Sequence, residues 1–175
     1  LPFMRVSLQW QQSLFNENPE SSYSVIEEGI EKLVPFYLEM IDKYPDNQRY
    51  NLFLGSLYGL KARIDLAQSR WMDLLLSGAK GYSYIDKARK LDPLLHDVNM
   101  PIGTLEYFLC RSAAPLQFVG KIFGLGADCQ EAIDKLEIAS SSGEFSYVES
   151  DNVLSYIYLY IERDLTNALR VTSKL

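Results

Sequence analysis

Apolar residues that recur every three to four positions are the feature that most restricts the fold of this chain. The first such segment carries apolar residues at Val25, Ile26, Ile30, Leu33, Val34, Tyr37, Leu38 and Ile41. This spacing places them on one face of a helix, with acidic and basic residues opposite. Pro35 lies inside the pattern and predicts a kink or a division, because proline removes a backbone donor. Only residues 155–159 show an alternation typical of a strand, so the sequence predicts an all-α fold.

The same periodicity continues through the rest of the chain. We predict further helices over residues 48–63, 66–79, 98–111, 128–140, 145–163 and 165–175. Asp65 is predicted to cap the second of these, and Gly78 and Gly81 to interrupt it before it resumes towards Leu91. Asp128 opens a capping-box pattern with Glu131. Asp164 is predicted to cap the last helix, and Pro101 is predicted to lie in the first turn of the helix over 98–111, where proline is tolerated. Between these helices, residues 112–127 form an irregular insert of one proline, three glycines and apolar residues, predicted as a short buried helix or an ordered loop.

Composition and charge exclude several classes of protein. The chain has 175 residues, of which 47% are hydrophobic and 23% charged, as expected for one soluble globular domain spanning residues 1–175. The longest uncharged stretches have 11 residues, too few to span a bilayer. The net charge of −6 is concentrated in residues 128–151, whereas residues 61–90 form a mild basic stripe. A nucleic-acid binder needs dense basic residues, so we expect no nucleic-acid partner.

Chemistry-bearing residues are sparse. His96 is the only histidine, which excludes any metal or catalytic arrangement that needs two imidazoles. Asp92, His96 and Asp97 are interpreted as turn and cap residues rather than a metal cluster, because Pro93 breaks the helix between them. Cys110 and Cys129 are too few for a disulfide framework, and Cys110 is predicted to be a small buried hydrophobic residue. We therefore expect no catalytic residue, no cofactor, no metal and no enzymatic activity.

Two segments of the sequence correspond at an offset of 48 residues. Pro45 and Pro93 each end a helical pattern, and each is followed ten positions later by a glycine that comes after an apolar residue, Gly55 and Gly103. Further matches to a repeat signature stand at Leu54, Tyr58, Ala67, Trp71, Ala88 and, more weakly, Leu154, Tyr158 and Ala168. The chain resembles the tetratricopeptide repeat from about Tyr23 onward. That resemblance implies antiparallel helix pairs stacked as a short right-handed superhelix, with a small residue where neighbouring helices approach closely.

The segments also depart from that repeat. Gly55 and Pro93 are 38 residues apart, where the repeat has about 24, and we interpret the difference as helices elongated by about four turns. In the second segment Glu106 occupies the aromatic position, and Pro115 replaces the small residue of the second helix. The resemblance is therefore to a divergent, extended relative of the repeat.

Stacked helix pairs leave a concave surface that usually binds other proteins. The resemblance therefore implies a non-catalytic scaffold whose partner is a protein or peptide. The candidate binding residues on the first helices are Tyr50, Asn51, Tyr58, Lys61, Asn99, Glu106 and Arg111. The rich content of 12 Tyr, 8 Phe and 2 Trp leaves open an alternative, a helical carbohydrate-active enzyme or glycan-binding protein.

Location and assembly stay open at the level of sequence. Residues 1–5 contain neither an initiator methionine nor a basic-then-apolar leader. We expect a fragment or a processed form of a longer protein as readily as a whole one, in the cytoplasm or exported after removal of a signal. A homo-oligomer also stays open, because the end helices of a short array can pair between chains.

Overall fold

The computed structural model describes residues 2–13, 20–122, 124–126 and 128–175, and all regular structure in that part of the chain is helical. The helices are α1 (Pro2–Ser13), α2 (Glu20–Lys43), α3 (Gln48–Ala67), α4 (Trp71–Leu91), α5 (Asn99–Cys110), α6 (Ala114–Ile122), α7 (Cys129–Ser142), α8 (Tyr147–Tyr156) and α9 (Leu165–Thr172). The prediction of an all-α chain is confirmed. The helices form two compact units, Leu1–Asp92 and Pro93–Leu175.

The first unit contains α1 to α4. As predicted, α2 runs through residues 25–41, and it continues past Pro35. A turn follows it, and Asn47 caps α3 by accepting a hydrogen bond of 3.0 Å from the Arg49 amide. α3 and α4 are joined by three residues and pack closely together. The core of this unit includes Ile26, Ile30, Tyr37, Leu52, Phe53, Leu54, Leu57, Ile64, Ile85 and Ala88.

The predicted boundary between α3 and α4 is wrong. Asp65 lies inside α3 and is fully buried, where its carboxylate accepts hydrogen bonds from Lys61 Nζ and Ser77 Oγ, both at 3.0 Å. Arg70 also pairs with it, at 2.7 Å. A buried carboxylate is stable only when it is paired and hydrogen-bonded. Asp65 therefore links the end of α3 to α4 instead of capping a helix.

The predicted interruption at Gly78 and Gly81 is also wrong, because α4 is continuous through both. Gly81 is the residue at which α3 and α4 approach most closely: a Cβ added at Gly55 would lie 2.8 Å from its carbonyl oxygen. Gly103 has the same role in the second unit, where an added Cβ would lie 2.8 Å from the Ala132 carbonyl oxygen of α7. The expectation of close helix approach at Gly55 and Gly103 is confirmed at both positions.

The second unit contains α5 to α9 and is preceded by a short 3₁₀ turn at His96–Val98. Pro101 lies in the first turn of α5, as predicted. Asp128 caps α7 by accepting hydrogen bonds from the amides of Gln130 and Glu131, and Asp164 caps α9, also as predicted. α8 ends in a π-helical turn at Ile157–Ile161, so residues 155–159 are helical. The core contains Tyr107, Ala132, Ile133, Leu136, Leu154, Ile157, Tyr158, Ala168 and Val171.

Asp97 holds the connection between α7 and α8. Its carboxylate is buried and accepts hydrogen bonds from the amides of Glu144, Phe145 and Ser146 at 3.1, 2.7 and 2.8 Å. The interpretation of Asp97 as a turn residue is confirmed, because it lies in the short 3₁₀ turn before α5, but its carboxylate caps neither adjacent helix. Its partners lie 47 to 49 residues away in the chain.

The end of α5 and the start of α7 are joined covalently. Cys110 and Cys129 form a disulfide with a Cα–Cα distance of 5.5 Å, so the prediction that Cys110 is a small buried hydrophobic residue is wrong. α6 occupies the intervening insert and lets the chain return, which brings the two cysteines together. Residues 123 and 127 of that insert lie outside the described part of the chain.

Candidate functional site

α4 has a buried inner face and a second face, which is apolar and exposed in its first half. Its inner face packs against α3 through Ser77, Gly81, Ile85 and Ala88, all buried. Successive helical residues are about 100° apart, so residues 71, 72, 75, 76 and 79 lie on the opposite side. The large side chains there, which we call the outer face of α4, are Trp71, Met72, Leu75 and Leu76, and their exposures are 62%, 70%, 54% and 58%. Scattered exposed apolar residues are ordinary, but a contiguous set is characteristic of an interaction site.

Ion pairs fix the start of this helix. Arg70, the residue before α4, pairs with Glu27 of α2 and with the buried Asp65 of α3. The Glu27 hydrogen bond, partly opposed by burial, raises the pKa of Arg70, so its charge is permanent. α4 is therefore anchored to both neighbouring helices directly before Trp71. Because these ion pairs hold the start of α4 in place, the outer face should lose little conformational entropy when it binds a partner.

The second half of α4 is charged instead of apolar. Lys87, Arg89 and Lys90 follow in its last two turns, with Asp86 among them. Asp86 accepts from Arg89 and from Lys90, the latter at 2.6 Å. Burial raises the pKa of Asp86, but the hydrogen bonds from Lys90 and Arg89 outweigh that effect, and the pKa lies below its usual value. Asp86 is therefore ionised at neutral pH, and these four residues carry two net positive charges.

Two of the sequence-predicted site residues lie inside the protein and are not exposed to a partner. Asn51 is fully buried, and its Nδ2 donates to the Asn47 carbonyl at 3.3 Å. Glu106 is buried in the second unit, where it accepts from the Gly126 amide at 2.9 Å and pairs with Lys135. In both cases a polar residue type suggested the surface, whereas the side chain is buried and makes its hydrogen bonds inside the protein.

The two predicted basic residues are engaged in ion pairs. Lys61 pairs with the buried Asp65 at 3.0 Å. Arg111 pairs with Glu162, and its guanidinium carbon lies 5.8 Å from the centre of the Tyr107 ring. Hydrogen bonds from Tyr107 and Arg111 lower the pKa of Glu162, while burial and the same bond raise the pKa of Tyr107 to about 12. Reversing either basic charge would therefore disturb the fold as well as the surface.

The remaining predicted residues are partly exposed. Tyr58 stacks on Tyr84 of α4 with ring centres 6.0 Å apart, and Lys80 lies 5.5 Å from the Tyr58 ring centre. Tyr50 belongs to a different group and lies beside Tyr37 and Tyr44. Asn99 is half-buried at the start of α5. Tyr50 and Tyr58 belong to the first unit and Asn99 to the second, so the seven predicted residues are divided between the two units.

A polar pocket in the second unit is a second candidate. It has a volume of about 270 Å³ and is lined by Gln130, Ile133, Tyr158, Glu162, Asp164 and Asn167. Its two carboxylates both have lowered pKa values, Glu162 through hydrogen bonds from Tyr107 and Arg111 and Asp164 through those from Asn167. A glycosidase needs one carboxyl group whose pKa is raised so that it can donate a proton. Neither carboxylate of this pocket meets that condition.

The described residues contain no group of three or more metal-ligating side chains that could hold a metal ion. Within the same part of the chain, every helix is too short or too polar to cross a bilayer.

Comparison with known proteins gives no match to a family model, to a curated protein or to a solved structure.

Proposed function

We propose that this chain is a non-catalytic helical module that binds another protein, and that the outer face of α4 is its binding surface. The observation that supports this most strongly is the set of four large apolar side chains on the side of α4 opposite its packed face. Tryptophan and methionine are enriched at protein interfaces. Burial of such side chains contributes roughly 1.5–3 kcal/mol each, which is enough to stabilise a complex.

We further propose that the helices form tetratricopeptide-like pairs, α3 with α4 and α5 with α7. The support is the shared role of Gly55 and Gly103, each of which lies where the first helix of a pair approaches the second. α6 is then an insertion within the second pair. In this scheme the binding surface belongs to a second helix, α4, rather than to the first helices that the sequence resemblance favoured.

The carbohydrate-active alternative has one observation in its favour, the pocket that contains Glu162 and Asp164. Their lowered pKa values count against acid catalysis. If the alternative were correct, Glu162→Gln and Asp164→Asn would each abolish glycan hydrolysis or glycan binding on an array while leaving the helical circular dichroism unchanged.

The proposal is tested by truncating the outer face. The Trp71→Ala, Leu75→Ala double variant removes two exposed side chains, and Leu38→Ala, at an exposed apolar position of α2, is the matched control. Polypeptides retained from native extract by the parent and by the control are identified and purified, and their affinity is measured by calorimetry. Because truncation of a central interface tryptophan costs about 2 kcal/mol or more, we expect the double variant to bind at least roughly 30-fold more weakly. Equal affinity of parent and double variant would refute the outer face as the site.

A further inference from the structure

The outer face of α4 changes from apolar to basic along a single line. Because 18 residues make five helical turns, Lys90 lies directly in line with Met72, five turns closer to the carboxyl end. Lys87 lies close to the line through Leu76. A ligand that follows the outer face therefore meets apolar side chains first and the side chains of Lys87 and Lys90 about three to four turns after Leu76.

The basic end is not neutralised by the chain itself. Asp86 pairs with Arg89 and Lys90, and Lys90 is nevertheless 74% exposed. Lys87 is exposed and makes no ion pair within the part of the chain that the structure describes. Arg89 and Lys90 lie in the last turn of α4, where bases interact favourably with the helix dipole. Lys87 lies before that turn, so the helix dipole does not account for its position.

We propose that the occupant of this surface is an amphipathic helix of another protein, with an apolar stripe on the outer face of α4 and acidic residues beside Lys87 and Lys90. This inference rests on the proposed function and specifies its partner. Apolar residues at positions 71, 72, 75 and 76 form ridges along the helix, into which the side chains of a second helix pack. The basic end fixes the direction of that helix, because charge complementarity determines register and orientation.

Two other occupants fit less well. If a second copy of this chain bound with the two α4 helices parallel, the basic end of one helix would lie against the basic end of the other. If the helices were antiparallel, the basic end of each would lie against the apolar half of the other. A membrane-surface helix carries bases along its whole polar face, whereas α4 carries Asp73 and Asp86 among its bases, and Lys80 lies beside the Tyr58 ring.

The test uses two synthetic peptides of about 20 residues, both stapled to hold a helix and both carrying the same leucine stripe. One ends in three glutamates and the other in three lysines at the same positions. Their affinities for the whole chain are measured by calorimetry with the parent, with Lys87→Glu, Lys90→Glu, and with Lys43→Glu as a charge-reversed control on α2. Emission of the exposed Trp71 reports whether the peptide covers the outer face.

We expect the parent to bind the acidic peptide about fivefold more tightly than the basic one, as for two exposed ion pairs. The Lys87→Glu, Lys90→Glu variant should reverse this preference, and Lys43→Glu should leave it unchanged. Equal affinity for both peptides would overturn the inference; the proposed function would survive if Trp71→Ala, Leu75→Ala weakened both.

Three further outcomes would also overturn the inference. These are binding of neither peptide, self-association in sedimentation that Leu75→Asp abolishes, and co-sedimentation with phosphatidylserine vesicles that Trp71→Ala, Leu75→Ala abolishes. The second would identify another copy of the chain as the occupant, and the third a membrane. Failure to bind either peptide leaves the protein-binding function to be decided separately by the capture experiment.

Discussion

Loss of the Cys110–Cys129 disulfide should destabilise the second unit while the first unit serves as an internal control. The two cysteines are 19 positions apart. The loop-closure entropy of a crosslink of that length corresponds to about 3 kcal/mol. A unit of this size has a total stability of roughly 4–12 kcal/mol, so we expect the Cys110→Ala, Cys129→Ala variant to lose a large share of it.

Urea unfolding of the parent and the double variant separates the two units. Trp10 and Trp71 are the only tryptophans and both belong to the first unit, so tryptophan emission follows that unit, whereas far-ultraviolet circular dichroism follows all helices. With a urea dependence of about 1–1.5 kcal/mol/M, the dichroism transition of the second unit should move down by roughly 2–3 M. The tryptophan transition should move far less.

Two outcomes of the urea experiment would contradict the expected loss of stability. A shift in the free energy of unfolding below about 0.5 kcal/mol would show that the loop around α6 is already restricted in the unfolded chain, so that the crosslink removes little entropy. An equal shift of the tryptophan transition would show that the two units unfold together. Reduction of the parent with dithiothreitol should reproduce the behaviour of the variant, which distinguishes loss of the crosslink from the effect of the alanines.

Two further predictions follow from the packing and the charges. Gly55→Ala should lower the free energy of unfolding by about 1–3 kcal/mol, because its Cβ would lie 2.8 Å from the carbonyl oxygen of Gly81 in α4. Gly59→Ala is the control: position 59 has open space around it, so alanine should stabilise α3 by up to about 1 kcal/mol. Equal effects of the two variants in thermal unfolding would contradict the close approach. The pKa of Glu162 is lowered in the folded state by Tyr107 and Arg111, so its contribution to stability is present above its unfolded pKa of about 4.5 and is lost as the pH falls through the folded pKa. Glu162→Gln should therefore flatten the acid side of the stability profile measured by urea unfolding, and an unchanged acid limb would refute this pairing.

The sequence predicts helix ends well where the capping residue and its hydrogen-bond partners are close together in the chain. Asp128 and Asp164 cap helices through amides two or three residues away, so a short window of sequence contains the whole interaction. The turn before α3 is of the same kind, because Asn47 accepts from an amide two residues on. Pro101 likewise lies in a first helical turn, where proline costs little.

The failures have a common physical cause, which is contact between residues far apart in the chain. Gly78 and Gly81 are poor helix formers, and only the approach of α3 explains why a glycine is favoured at position 81. Aspartate is a favoured residue at helix N-termini, yet Asp65 lies inside the protein, where it pairs with Arg70 and accepts a hydrogen bond from Ser77. The cysteine pair depends in the same way on the path of α6.

The candidate surface was missed because its residues have two interpretations. An apolar residue at helical spacing normally indicates a core face, but the buried face of α4 includes Ser77 and Gly81, and the large apolar residues near its start are exposed. Only the position of α3 shows which set is covered and which remains exposed. Glu106 presents the opposite case, because an acidic residue on a predicted binding helix forms a buried pair with Lys135.

Asp97 has a consequence for how this protein can change over evolutionary time. It holds the connection between α7 and α8 through three backbone amides, and every residue except proline supplies such a donor. A substitution at position 144 or 145, other than by proline, therefore leaves these hydrogen-bond donors in place. Asp97 itself cannot be replaced in this way, because asparagine offers a single uncharged acceptor oxygen. The residue that must be kept for this connection therefore lies almost 50 positions away from it in the sequence.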